Sequence, residues 1–202
     1  MGLTPKQFRE LENRVSGRRG SKPREDLILT GSEVAAGCVI LGIDPSLRGT
    51  GYGFIRTGKP NSTAIDHGTI VCPARWQRSR CLVQIAATLR DLIKKHHPEL
   101  CVVEGLFFAQ NLKTAITMGE ARGAGLVAAA EAGMPIYEIA PRKVKQAIVG
   151  YGAASKNAVA KMVQRMLQLD EVPASDAADA LALALTYAGS GNLLVGGAVK
   201  PI

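Results

Sequence analysis

The stretch that decides the fold is Cys38-Val39-Ile40-Leu41-Gly42-Ile43-Asp44-Pro45, a continuous apolar run that ends in an acid and a proline. A short apolar run of this kind is typical of a β-strand that is covered on both faces. Two further segments rich in strand-forming residues, 50–56 and 63–71, follow at turn-sized separations, and loop-forming residues at 58–62 lie between them. The pattern predicts three consecutive strands in an antiparallel meander.

The chain after the meander alternates between helical and strand patterns. Apolar residues recur at helical spacing over 82–93, and an apolar strand pattern at 100–103 precedes an alanine-rich helix expected over about 111–132. A fifth strand is expected at 135–140. Three more helices are predicted, near residues 141–149, 155–169 and 173–187.

This order of elements predicts an α/β fold. We expect a mixed five-stranded sheet in which the three-strand antiparallel meander is continued by helix-linked parallel strands, with helices on both faces. The order is similar to that of the ribonuclease H fold.

Both ends of the chain differ in composition from the centre. Residues 1–36 combine charged residues and glycine with little apolar content, so they cannot bury enough surface to fold alone. We predict a flexible basic arm over 1–36, one domain with the ribonuclease H-like order of elements over 37–189 and a flexible tail over 190–202. The basic cluster in the arm could contact DNA phosphates, although a solvated tail is the better interpretation.

The composition of the whole chain narrows the class of partner and the compartment. A formal net charge of +8 favours an anionic partner, with nucleic acid first. The four cysteines form no CxxC pair, so neither a zinc site nor a disulfide framework is indicated. No apolar stretch approaches the roughly 20 residues that span a bilayer, and the N-terminus lacks a secretory core. We expect a cytoplasmic protein.

Two acids are predicted at the ends of buried strands. Asp44 follows the first apolar strand directly, and Glu104 follows the fourth. A carboxylate in such a place is costly unless it is paired or bound to a metal. The helical crossover between the two strands indicates that they are parallel neighbours, which would bring both carboxylates within reach of one metal ion.

A second pair of acids lies in the last predicted helix. Asp176 and Asp179 are three residues apart, so they share one helix face, and their neighbours are mostly alanine and leucine. Like charges on a packing face repel unless a cation lies between them. The alternative is that Asp176 interacts with the helix dipole and Asp179 is solvated.

Together the four acids have the chemistry of a magnesium site. Magnesium takes oxygen ligands, and paired ions can activate water and stabilise a leaving oxygen in phosphodiester hydrolysis, so four carboxylates suit two ions. The histidines have no zinc-ligand spacing, and His96 and His97 are expected at the surface or as capping residues at a helix end.

Several motifs then appear in order along residues 38–187. They are Ile40-Leu41-Gly42-Ile43-Asp44-Pro45, Gly49-Thr50-Gly51-Tyr52-Gly53, Val102-Val103-Glu104, Gly119-Glu120-Ala121-Arg122-Gly123, Val144-Lys145-Gln146-Ala147-Ile148-Val149-Gly150 and Asp176-Ala177-Ala178-Asp179-Ala180-Leu181-Ala182. The chain thereby resembles the RuvC family of bacterial Holliday junction resolvases. It departs from the family at Ser46-Leu47 and Gly105-Leu106, which leaves loop details and sequence preference open.

The resemblance implies a set of functional properties. It implies a ribonuclease H-like homodimer that uses Mg²⁺ or Mn²⁺ and nicks two strands of a four-way junction symmetrically, with the branch-migration proteins RuvA and RuvB as partners. Carried over by position, Asp44, Glu104, Asp176 and Asp179 form the catalytic metal-binding set. We expect Asp179 to be the firmer metal ligand, and Asp176 to be shared between metal binding and water activation.

The resemblance also implies residues that contact DNA. Phe107 matches an aromatic that stacks on an unpaired base, although it could instead belong to the core. Lys145 and Lys156 match residues that contact phosphates. Arg142 and Lys143 join these lysines in a basic region beside the glycine-rich segment 150–152, which suits backbone contacts. Arg122 is either a further phosphate contact or a helix-face charge.

Two other classes of function remain open from the sequence. Another ribonuclease H-like nuclease, in RNA processing or transposition, would use the same carboxylates. A non-catalytic DNA-binding module would be expected to lack at least one of the four acids, and all four are present.

Overall fold

A computed structural model describes residues 34–105, 112–189 and 199–202. Most of the predicted arm and tail lies outside these ranges, as does Phe107. The described strands are β1 (Val39–Asp44), β2 (Gly49–Arg56), β3 (Thr63–Val71), β4 (Leu100–Glu104), β5 (Ile136–Ile139) and β6 (Val199–Pro201). The described helices are α1 (Arg78–His96), α2 (Leu112–Glu131), α3 (Pro141–Val149), α4 (Lys156–Leu167) and α5 (Ser175–Ala188).

The strands form one mixed sheet in the order β3-β2-β1-β4-β5-β6. Strands β1, β2 and β3 pair antiparallel, while β4 pairs parallel with both β1 and β5. This arrangement confirms the predicted meander and its continuation by helix-linked parallel strands.

The sheet has one strand more than the five predicted. Strand β6 pairs antiparallel with β5 through the partners Tyr137 and Pro201, Glu138 and Lys200, and Ile139 and Val199. It comes from the segment predicted as a flexible tail. A three-residue strand that contains proline has almost no sequence signal, and its pairing satisfies backbone groups of β5 that an edge would leave open.

Helices cover both faces of the sheet, as predicted. On one face Leu41 and Ile43 of β1 join a buried cluster with Ile85 and Leu89 of α1 and Ala128 of α2. Because successive residues of a strand face opposite sides of the sheet, Gly42 and Asp44 lie on the other face, where α5 packs.

Helix α5 lies unusually close to the sheet. A Cβ atom placed on Gly42 would lie 1.9 Å from the backbone oxygen of Ala180, so this strand position has no room for a side chain. Residues 177–187 of this helix are buried apart from the half-buried Asp179. Glycine in the strand and alanine in the helix thus allow the two backbones to approach.

The end of α1 corrects one expectation. His97 has left-handed backbone geometry and donates its N–H to the carbonyl of Ile93, so it caps the helix as predicted. The side chain of His96, however, is only 10% exposed, because its Nε2 lies 2.7 Å from Oδ2 of Asp66 and its ring packs against Phe54. His96 is therefore a largely buried contact between α1 and the sheet.

Two further features concern the cysteines and the character of the described helices. The four cysteines are buried free thiols. Among the described helices, none combines the length and the apolar character that crossing a membrane requires.

Candidate active site

Asp44 and Glu104 lie side by side at the ends of neighbouring strands. Strands β1 and β4 are parallel with Ile43 opposite Val103, so the acid that follows each of these residues occupies the same edge of the sheet. Both acids are half-buried, and each carboxyl group affects the pKa of the other. The structure therefore brings together the two acids that the strand pattern singled out.

Asp176 and Asp179 approach this pair from the first turns of α5. A Cβ atom on Gly49, at the start of β2, would lie 2.9 Å from Oδ2 of Asp176. The Asp179 side chain is only 21% exposed, and its charge acts on both Asp44 and Glu104. This geometry favours a shared cluster over a solvated Asp179.

The electrostatics of the cluster reflect burial and crowding. Burial raises the pKa of Asp44, and repulsion by Asp179 raises it further. Burial likewise raises the pKa of Glu104, with a second contribution from the charge of Asp44. Carboxylates held this close favour protonation unless a cation offsets their charge.

A lysine lies among these carboxylates. Nζ of Lys156, the first residue of α4, lies 2.9 Å from Oδ2 of Asp179. The hydrogen bond to Asp179 raises the pKa of Lys156, and the charges of Asp44 and Asp176 act in the same direction. The ammonium group thus supplies part of the positive charge that the cluster requires.

The donor set suits a divalent metal, although the side chains are not arranged as a closed ligand shell. In the ranges that the structure describes, no three acidic, histidine or cysteine side chains are grouped tightly enough to hold one ion as they stand. The donors are all carboxylate oxygens, as magnesium prefers. Burial and then mutual repulsion raise the pKa values of Asp44 and Glu104, so a bound cation would stabilise their charged forms. Rotation of the side chains and displacement of Lys156 would open the cluster to a metal.

The other predicted basic residues lie on and around α3. Arg142 and Lys143 are exposed and line a cavity of about 660 Å³ together with Ala140, Pro141 and Gln146. Lys145 is half-buried on the same helix. The helix ends at Gly150, whose φ of 97° is a conformation that favours glycine.

Arg122 has a different environment from the other basic residues. Its guanidinium forms an ion pair with Glu138 of β5, and its Nε donates a 3.4 Å hydrogen bond to the backbone oxygen of Glu104. Glu138 was not among the predicted site residues. An acid within the otherwise apolar segment Ile136-Tyr137-Glu138-Ile139 is the signal that could have identified it, because a half-buried carboxylate needs a partner.

Sequence reasoning also missed Arg48, in the turn after β1. Its Nη1 lies 2.6 Å from the backbone oxygen of Pro73, 3.1 Å from that of Trp76 and 3.2 Å from Sγ of Cys81. The side chain therefore ties the turn that follows Asp44 to the connection between β3 and α1.

Comparison with known proteins identifies relatives over most of the chain. The family model described as crossover junction endodeoxyribonuclease RuvC matches residues 40–187. The protein of that name from Akkermansia muciniphila is 46% identical over 155 residues, which cover 77% of this chain and 93% of that protein. The corresponding protein from Syntrophomonas wolfei is also 46% identical over 155 residues, covering 76% of this chain and 90% of its own.

Solved structures of similar proteins have the same fold as this chain. The structure of T. thermophilus RuvC in complex with Holliday junction substrate superposes with a TM-score of 0.74 at 36% identity, covering 82% of this chain and 99% of that chain. The yeast mitochondrial Holliday junction resolvase has a TM-score of 0.56 at 11% identity, with 82% and 85% coverage, which supports the fold alone. The ribonuclease H-like fold predicted from the order of elements is confirmed.

Proposed function

Because the chain belongs to the RuvC family of crossover junction endodeoxyribonucleases, we propose that it resolves four-way DNA junctions by symmetric paired nicks in homologous recombination and DNA repair. The observation that carries this proposal is the convergence of Asp44, Glu104 and Asp179 at one edge of the sheet. In metal-ion catalysis of phosphodiester hydrolysis, such a cluster of carboxylates holds the ions beside the scissile phosphate.

The residues that would hold the metal are Asp44, Glu104, Asp176 and Asp179. When bound there, divalent ions activate a water molecule and stabilise the leaving oxygen. We infer two Mg²⁺ ions for each active site, for which Mn²⁺ can substitute, because four carboxylates offer oxygen ligands to more than one ion.

The two aspartates of α5 have different roles in this proposal. The charge of Asp179 acts on both Asp44 and Glu104, whereas that of Asp176 acts on Asp44. Asp179 is therefore the more central ligand, and Asp176 is shared between metal binding and orientation of the attacking water.

The basic residues around the cluster position DNA. Lys156 lies at the cluster itself, and Lys145 with the exposed Arg142 and Lys143 forms a basic region on α3. Contacts of this kind hold phosphates without reading base sequence. Phe107 follows Glu104 by three residues, and we propose that it stacks on an unpaired base at the crossover.

The symmetry of the substrate requires two active sites. A four-way junction has near two-fold symmetry, so a homodimer would place one carboxylate cluster at each of the two strands to be cut. We propose that the homodimer acts in the cytoplasm with the branch-migration proteins RuvA and RuvB.

One experiment separates this proposal from its alternatives. The purified protein is incubated with a four-way junction, a linear duplex, a single strand and an RNA–DNA hybrid, each with Mg²⁺ and with a chelator. We expect paired symmetric cuts in the four-way junction, and only with metal. Preferential cutting of the hybrid would instead support a ribonuclease, and a protein that cuts none of the four substrates with Mg²⁺ would support a non-catalytic module.

A further inference from the structure

The ion pair between Arg122 and Glu138 differs from the other arginine–glutamate pairs that join described elements. Its side chains are 15% and 27% exposed, whereas those of the Arg90–Glu131 pair are 39% and 51% exposed. Removing two charges from water is costly, and an exposed pair contributes little to stability. A half-buried ion pair beside the candidate active site therefore calls for an explanation beyond the small contribution of an exposed pair.

The pair lies behind the catalytic edge of the sheet. Ile136, two residues before Glu138 on β5, belongs to the buried cluster beneath α1 and α2, so Glu138 points to that same face. Tyr137 points the other way, with its ring 4.8 Å from that of Tyr187 on α5. Arg122 reaches Glu138 from α2, and the carboxylate cluster occupies the opposite face.

Both members of the pair contact the same peptide unit. Arg122 donates through Nε to the backbone oxygen of Glu104 at 3.4 Å. A Cβ atom on Gly105 would lie 3.1 to 3.2 Å from the Glu138 side chain, so this side chain lies directly against Gly105. The pair thus contacts the backbone at the point where β4 ends.

The strand ladder holds the N–H of this peptide, and Arg122 holds its carbonyl oxygen. Gly105 donates its N–H to the carbonyl of Ile139 at 3.0 Å, just after the last residue of β4. The Glu104 carboxylate projects from the other side of the same backbone, so a rotation of this peptide would turn the carboxylate away from Asp44. A guanidinium has donors in a fixed fork, which lets one side chain hold a carboxylate and a carbonyl together.

We propose that Arg122 and Glu138 are positioning residues for Glu104, which hold the Glu104–Gly105 peptide so that the carboxylate faces the metal ions. The inference rests on the proposed function, because one of its tests measures the cleavage of a four-way junction. It gives Arg122 a role that differs from both expectations, a phosphate contact or a helix-face charge, since its guanidinium contacts Glu138 and a strand carbonyl.

The test compares Arg122→Gln, Glu138→Gln and the double variant with the wild-type protein. The measurements are kcat and KM on a four-way junction, junction affinity in chelator, Mn²⁺ affinity by calorimetry without DNA, and the melting temperature. We expect each single variant to lose about 10- to 100-fold in Mn²⁺ affinity and kcat, as is typical when a group that orients a metal ligand is removed. Junction affinity in chelator should not change.

Two further variants separate positioning from general stability. The double variant should be no worse than the more affected single variant, because the two residues act through one another. Arg122→Lys keeps the positive charge but lacks the forked donors of the guanidinium. It should fold and have an Mn²⁺ affinity between those of Arg122→Gln and the wild-type protein. This variant keeps the test informative if Arg122→Gln is unstable. Arg90→Gln removes a more exposed arginine of the same kind and should leave kcat unchanged.

The contrary outcomes are distinct. Weaker junction binding by Arg122→Gln in chelator, with normal kcat in Glu138→Gln, would make Arg122 a phosphate contact and overturn the inference. Lower melting temperatures with unchanged Mn²⁺ affinity and kcat would make the pair merely structural and overturn it too. A wild-type protein that cuts no junction would refute the proposed function, while Mn²⁺ affinities would still test the pair.

Discussion

A Cβ atom on Gly51 would lie 2.0 Å from the backbone oxygen of Asp176. Strand β2 therefore meets the first turn of α5 with no space for a side chain, at the helix position that carries a candidate metal ligand. The position of Asp176 depends on a glycine two strands away from Glu104 in the sheet.

Gly51→Ala should disturb both stability and catalysis. The added methyl group must displace the backbone of α5, and such overpacking costs about 1 to 3 kcal/mol of the free energy of unfolding. We expect cleavage of a four-way junction to fall further than stability explains, because the displaced segment carries Asp176. Urea unfolding and cleavage rates of the folded protein measure the two effects.

The control for this substitution is Gly119→Ala. Gly119 lies inside α2, where no described atom outside the immediate helix backbone lies within 4 Å of the added Cβ. Alanine in a helix interior is favoured over glycine by about 1 kcal/mol, so this variant should be as stable as the wild-type protein or more stable. Gly51→Ala with wild-type stability and cleavage would contradict the close approach of β2 and α5.

Asp44→Asn should abolish cutting and preserve junction binding. Asp44 interacts with Glu104 of β4 and with Asp176 and Asp179 of α5, so its loss removes the acid that links the strand acid to the helix acids. A metal ion supplies several kcal/mol of transition-state stabilisation, so we expect cleavage to fall by about 10³-fold or more. Gel-shift binding in chelator and cleavage in Mg²⁺ test this, with the exposed Asp91 as the site of a control substitution. Normal cutting by Asp44→Asn would refute the assignment of the active site.

Lys156→Met should strengthen metal binding and weaken junction binding. The ammonium group lies 2.9 Å from Asp179 and competes with a metal cation for the same negative charge. Loss of one such pair corresponds to about 1 kcal/mol, or about a fivefold gain in Mn²⁺ affinity by calorimetry. If Lys156 also contacts a phosphate, the slope of log affinity for a junction against log salt should fall by about one.

Lys161 provides the matched control for Lys156, because it is an exposed lysine on the same helix. Lys161→Met should leave Mn²⁺ affinity unchanged. Equal Mn²⁺ affinity in Lys156→Met and the wild-type protein would mean that the ammonium group does not compete with metal.

The Asp66–His96 contact should make part of the stability depend on pH. Burial acts to raise the pKa of Asp66, but hydrogen bonds from His96 and Lys95 outweigh it and hold the pKa below its ordinary value of 3.8. A carboxyl whose pKa is lower in the folded state contributes stability above its unfolded pKa, and this contribution is lost as pH falls through the folded pKa.

Asp66→Asn should therefore lower the free energy of unfolding by about 1 kcal/mol at pH 7. The difference from the wild-type protein should stay constant down to about pH 5, then shrink from about pH 4 downward. Urea unfolding at several pH values measures it. A difference that is independent of pH down to the acid-unfolding range would show that the charge of Asp66 is not responsible.

Local sequence pattern was enough to predict strands β1 to β5, the five described helices and the positions of four acids in those elements. The helical crossover between the strand that ends in Asp44 and the one that ends in Glu104 predicted parallel neighbours, and the pairing of Ile43 with Val103 confirms this. The spacing of Asp176 and Asp179 predicted one helix face. These features depend on residues that are close in sequence, because the periods of helix and strand determine which way neighbouring side chains point.

Tertiary structure alone decided the contacts between residues far apart in the chain. The sequence marks Glu138 as an acid in an apolar strand but does not name its partner, and only the packing of β5 and α2 brings it to Arg122 behind Glu104. His96 was expected at the surface or at the helix end, and Asp66 of β3 makes it a largely buried partner. Strand β6 forms because β5 offers an open edge. Such contacts form only when packed elements exclude water around a particular pair of residues. The local period of a helix or strand does not determine which distant residues pair.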